Sequence, residues 1–155
     1  MDPSDDPGSL DRFVFAQRRG HDTALSELRR GQKRSHWMWY VFPQLRGLGR
    51  SEMSWHYGIA DLDEARAYLA HPVLGPRLAD CAAAVLAHAD KPAEAIMGSV
   101  DAGKLRSSMT LFAAVEGAPP VFDQVLDRLY GGRRCPRTLD RIGLSGQGSG
   151  AGPRP

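Results

Sequence analysis

Glycine and proline cut this sequence at short intervals, and the pieces between the cuts carry their apolar residues at helical spacing. The cleanest piece is Val121–Tyr130. Val121, Phe122, Val125, Leu126, Leu129 and Tyr130 share one face, and Asp123, Gln124, Asp127 and Arg128 share the other, as a period near 3.6 requires. Gly131-Gly132 ends it, as a left-handed C-cap would. No stretch alternates apolar and polar residues long enough to make a half-buried strand. The one β-like run, Trp39-Tyr40-Val41-Phe42, is cut short by Pro43. The pattern predicts an all-α fold of roughly seven or eight short helices in an orthogonal or superhelical array.

Local signals place the pieces. Leu10, Phe13, Val14 and Gln17 follow Ser9, and Ala24, Leu25 and Leu28 form a second short stripe closed by Gly31. Ser51 has the position of an N-cap for a helix ending at Gly58, and Asp61 with Glu64 has capping-box spacing. Asp63, Glu64 and Arg66 read as a solvated face, and His71-Pro72 with Gly75-Pro76 as a rigid corner. Leu74, Leu78, Cys81, Ala82, Val85 and Leu86 mark a longer helix, and Pro92 and Gly98 frame a short one. Ser99 and Asp101 open a helix with Leu105, Met109 and Phe112 on one side and Ser107, Ser108 and Thr110 around the rest. A helix apolar, small and polar nearly all round runs through the centre of a domain. Thr138 is placed to cap a last turn through Ile142.

At 155 residues with 42% hydrophobic side chains, the chain suits one domain. Residues 9–143 form it, flanked by a flexible N-terminus (1–8) and a flexible Gly/Ser/Pro tail (144–155). The N-terminal MDPSDDPGSL is acidic and lacks the apolar core of a signal peptide. No apolar run is long enough for a membrane span. Cys81 and Cys135 are unclustered, which points to reduced thiols and a cytoplasmic setting. His21, His36, His56, His71 and His88 show no metal-ligand spacing, so neither a metal nor a cofactor is expected.

The net charge of +2 is too mild to imply nucleic acid by itself. The basic residues divide into 17 Arg and only three Lys (Lys33, Lys91, Lys104). The basic runs Arg29, Arg30, Lys33, Arg34 and Arg133, Arg134, Arg137 give nucleic-acid binding a weak footing, and it ranks last. Ser35–Tyr57 is the richest segment: all three Trp, His36 and His56, Arg46 and Arg50, and Gly47-x-Gly49. Aromatic rings among arginines offer a stacking face and a bidentate anchor for a planar anion. The glycines permit an anion-cradling turn, and a helix opening at Ser51 would add free N–H groups. The expected site therefore combines Trp37, Trp39, Gln44 and Arg46 with Lys104, Arg106 and Ser107. Its ligand would be a small anionic planar molecule such as a nucleotide or an ADP-ribose-like compound. His36 is the weak candidate for an acid or base. A protein-interaction module without catalysis is the alternative.

Three stretches, KRSHWMWYVFPQLRGLGRS (Lys33–Ser51), YGIADLDEARAYLAHPVLGPRL (Tyr57–Leu78) and KLRSSMTLF (Lys104–Phe112), resemble domain-of-unknown-function family 1810, a bacterial family whose members sometimes carry the label calpastatin. The resemblance runs from about Leu10 to Leu139. It implies an α-helical fold and no known activity, cofactor or catalytic residue.

Overall fold

The computed structural model describes residues 5–143, and among them are nine α-helices and no strand. These are α1 (Asp11–Arg29), α2 (Met38–Val41), α3 (Glu52–His56), α4 (Leu62–Ala70), α5 (Leu74–Leu86), α6 (Ala93–Met97), α7 (Ser99–Ala113), α8 (Val121–Tyr130) and α9 (Pro136–Arg141). One isolated parallel bridge joins Leu45 to Ile59. The tail expected to be flexible, and Met1–Ser4, lie outside the described residues.

The all-α expectation holds, with nine helices among the described residues rather than seven or eight, and with local differences. The two stripes read before Gly31 are one continuous helix, α1. Gly20 does not break it, because a mid-helix glycine costs only about 1 kcal/mol. Its bare backbone admits Tyr40: a Cβ at Gly20 would stand 2.4 Å from the Tyr40 hydroxyl oxygen. The β-like run is α2, a single turn in which the Val41 and Phe42 N–H groups bond to Trp37 O and Met38 O at 3.2 and 3.1 Å. Pro43 ends it by pushing Phe42 out of the helical region.

Most caps sit where local chemistry puts them. Ser51 accepts from Ser54 N and Asp61 from Glu64 N. Gly131 ends α8 in the left-handed conformation. At the corner after α4, His71 Nδ1 accepts from the Val73 and Leu74 N–H groups. Thr138 is not a cap: α9 starts one turn earlier, with Cys135 before Pro136, and Thr138 is buried inside it.

Helix α5 packs on α1 and α8, and α7 on α4, α6, α8 and α9. A line of aromatic contacts crosses the core: Phe13 to Tyr68 (5.2 Å between centroids), Tyr68 to Phe112 (5.2 Å) and Phe112 to Phe122 (6.0 Å). As expected, α7 runs through the middle, burying Leu105, Met109 and Phe112 together with Ser107, Ser108 and Thr110.

Arg12 is the largest buried charge. Its Nε donates to His56 O (2.7 Å), Nη1 to Ser9 O (2.6 Å), and Nη2 to Gly58 O (2.8 Å) and Glu64 Oε1 (3.0 Å). The guanidinium also lies 4.4 Å from the Phe13 ring centroid. Glu64 is thus no part of a solvated face: it faces inward onto Arg12 and accepts the Ala60 N–H. Removing one partner of such a pair strands the other without water. The Arg12→Met substitution is expected to lower unfolding free energy in urea by about 3–5 kcal/mol. A loss below about 1 kcal/mol, the size of an exposed pair, would contradict this role.

Candidate functional site

Glu27, near the end of α1, organises the start of the aromatic segment. Its buried carboxylate accepts from Arg34 N (2.7 Å), Ser35 N (2.9 Å), the Ser35 hydroxyl and Trp37 Nε1 (2.9 Å). Burial alone would raise its pKa. The Ser35 hydroxyl, the two backbone N–H groups and the indole override that and hold it at about 2. Gln17 Nε2 donates to Tyr40 O at 2.7 Å and so ties α2 to α1.

This arrangement turns Trp39, half-buried on α2, toward Lys104 on α7, whose ammonium lies 5.0 Å from the Trp39 ring centroid. Beside it Lys33 sits 4.9 Å from the Trp37 ring centroid. Asp101 lies between the two ammonium groups, with Oδ2 at 2.9 Å from Lys33 Nζ and Oδ1 at 3.6 Å from Lys104 Nζ. Trp39, Gln44, Ser54, Tyr57 and Lys104 line a narrow slot over Met38 and Phe42. Its interior has room for about one water molecule. Among the described residues, neither the Gln44 amide nor the Tyr57 hydroxyl has a side-chain hydrogen-bond partner, and Lys104 has only the long contact to Asp101.

Of the seven ligand-binding residues expected from the sequence, the slot brings together Trp39, Gln44 and Lys104. Trp37 lies behind it in the core, its N–H committed to Glu27. Arg46 does not share the slot. Its Nε donates to Trp55 O (2.9 Å) and its Nη2 to Pro7 O (2.8 Å), and its guanidinium stacks on the exposed Trp55 ring. It lines a separate open groove of about 400 Å³ with Asp61, Asp63 and Arg141. Arg106 is spent on the carbonyls of Arg133 and Arg134, both at 2.7 Å. Ser107 bonds Gly103 O (3.2 Å) and Cys135 Sγ (3.3 Å). His36 is exposed and does not line the slot. In the Gly47-x-Gly49 turn, Gly47, at φ +98°, makes room for the Arg141 side chain, and Gly49 for Ser54. The basic runs are also partly used internally, Lys33 on Asp101, Arg134 on Asp123, and Arg137 on Leu48 O.

A family model described as "Protein of unknown function (DUF1810)" matches residues 7–142. The chain belongs to the DUF1810 family. The crystal structure of the conserved hypothetical protein Rv1873 from Mycobacterium tuberculosis superposes with a TM-score of 0.86 at 47% identity, covering 90% of this chain and 100% of that one. No curated protein matches the chain. Among the described residues there is no cluster of three metal-ligating side chains, and no helix is long and apolar enough to cross a membrane.

One titratable group in this DUF1810 chain had no functional signal in the sequence. Cys135, half-buried between α8 and α9, accepts from the Ser107 hydroxyl at 3.3 Å and lies near that of Thr138, which is buried without a hydrogen-bond partner among the described residues. Burial would raise the thiol pKa. The Ser107 and Thr138 hydroxyls and the backbone N–H groups of Thr138 and Arg137 outweigh that and hold it below its usual value. Cys81, in the apolar core, is pushed up to about 12 by burial. The only sequence signal was Cys135-Pro136, a start-of-helix pair. Iodoacetamide is expected to alkylate Cys135 in the folded protein and spare Cys81, with the half-maximal rate below pH 9. Ser107→Ala should move that midpoint upward. Equal labelling of the two thiols, or an unmoved midpoint, would contradict the assignment.

Proposed function

We propose that this protein binds a small anionic ligand bearing a planar ring, of the nucleotide or ADP-ribose-like class, with its anionic group at the Trp39–Lys104 slot. The observation that carries this reading is the convergence of Gln44 and Tyr57, whose side chains have no hydrogen-bond partner among the described residues, with Lys104, held only by a 3.6 Å contact to Asp101, beside one half-buried indole. An ammonium over a tryptophan face attracts an anion without being fully neutralised by a carboxylate. Gln44 supplies an N–H donor and Tyr57 an O–H donor to the same anion. With room for about one water molecule, the slot does not enclose the ligand: the anionic group rests at its mouth, within reach of Lys104, and the ring lies across the rim. Few buried contacts mean modest affinity, a Kd on the order of 0.1–1 mM.

A second reading rests on α3. Met53 is 42% and Trp55 59% exposed on that short helix, with Arg46 stacked 4.7 Å from the Trp55 ring centroid. Tryptophan and arginine are the side chains that most often carry protein-interface energy. This favours a protein-contact surface next to the slot rather than in place of it.

AMP or ADP-ribose at ten times its Kd is expected to raise the thermal midpoint of the wild-type chain by about 3–6 °C. Lys104→Met and Trp39→Leu should abolish the shift while leaving the unliganded midpoint nearly unchanged. No shift with either ligand at millimolar concentration, or a full shift in Lys104→Met, would refute the reading.

A further inference from the structure

The two lysines that share Asp101, Lys104 in the slot and Lys33 behind it, are not equivalent. Lys33 is nearly enclosed: its side chain is 8% exposed, and its ammonium donates to Ser35 O at 2.6 Å and pairs with Asp101 at 2.9 Å. Lys104 is 27% exposed and touches the same carboxylate only at 3.6 Å. Asp101 therefore belongs first to Lys33, whose burial demands a counter-ion. Its second oxygen is what holds Lys104 back from a bound anion. The backbone reinforces this arrangement, because Asp101 sits in the first turn of α7, where the helix end favours a negative charge and keeps it in place.

We infer that Asp101 sets the anion affinity of the slot by competing with the ligand for the Lys104 ammonium, an inference that rests on the binding reading above. An arriving anion takes over the loose 3.6 Å contact, while Lys33 stays on Asp101. Asp101 is then a positioning residue that never touches the ligand. The slot prefers a doubly charged group over a singly charged one, since only the stronger charge outbids a carboxylate already in place. Phosphate monoesters fit that demand better than carboxylates of the same size.

The experiment titrates AMP against the full chain and follows the Trp39 indole resonance by NMR. Asp101→Asn is expected to tighten AMP two- to fivefold, the worth of one exposed ion pair. The double variant Lys33→Met/Asp101→Asn removes the enclosed pair together, keeps the net charge and leaves no stranded ion. It should tighten AMP as well, which a general gain of positive potential would not produce. Wild-type binding that is unchanged or weaker in the double variant, with its thermal midpoint retained, would overturn the role of Asp101 and leave the slot intact. Absence of AMP binding in the wild type and in both variants would remove the slot reading and this inference together.

Discussion

The buried carboxylate of Glu27 is the interaction on which the aromatic segment depends. All four of its hydrogen-bond donors are neutral: two backbone N–H groups, a hydroxyl and an indole N–H. Together they fix the turn from Arg34 to Trp37, and with it the direction in which α2 leaves. Arg12, at the other end of α1, does the same for the far end of the segment through the His56 and Gly58 carbonyls. Gln17 holds the middle through Tyr40 O, and its amide also donates to the Tyr68 hydroxyl at 3.0 Å. One helix thus carries three polar side chains that pin a largely irregular stretch along its length. Without that pinning, the short helices α2 and α3 have too few turns to hold themselves.

The consequence for the site is one of alignment. Trp39 meets Lys104 because the segment is held against α1 and is carried with it to α7, which presents Lys104 and Asp101. Farther along α7, Ser107 and Thr110 face α9 instead, where Thr110 Oγ1 accepts the Cys135 N–H and Ser107 touches its sulfur. The central helix divides its polar residues between two neighbours, while the Ser108 hydroxyl stays buried without a hydrogen-bond partner among the described residues. Each neighbourhood has a distinct chemistry, an ammonium over an indole on one side and a thiol among hydroxyls on the other.

The helices and their caps were legible because their causes are local. Ser51, Asp61, Gly98 and Gly131 act within a turn of where they stand, and the apolar stripe of α8 needs only its own residues. The pinning was not legible. Arg12 and Glu64 are 52 positions apart, and nothing in residue type announces that a guanidinium will spend itself on backbone carbonyls. The same blindness separated Arg46 and Arg106 from the expected site. Both look like anion anchors in sequence, and both are bound to the chain's own carbonyls. The packing of Tyr40 on Gly20, 20 residues apart, has no local signal either. Trp37 and Trp39 are alike in sequence, and only the Glu27 hydrogen bond decides which is core and which faces the slot.

The most direct measurement is the unfolding free energy of wild type and Glu27→Gln compared across pH. With its folded-state pKa lowered from 4.5 to about 2, Glu27 contributes stability that is fully present above the unfolded value and is lost as pH falls toward 2. At pH 7 the wild type should exceed the variant by about 3 kcal/mol, the linkage value of that shift. The gap should narrow steadily below pH 4.5. A gap that stays constant from pH 7 to pH 3, or that is absent at pH 7, would show that Glu27 is not the ionised anchor of the aromatic segment.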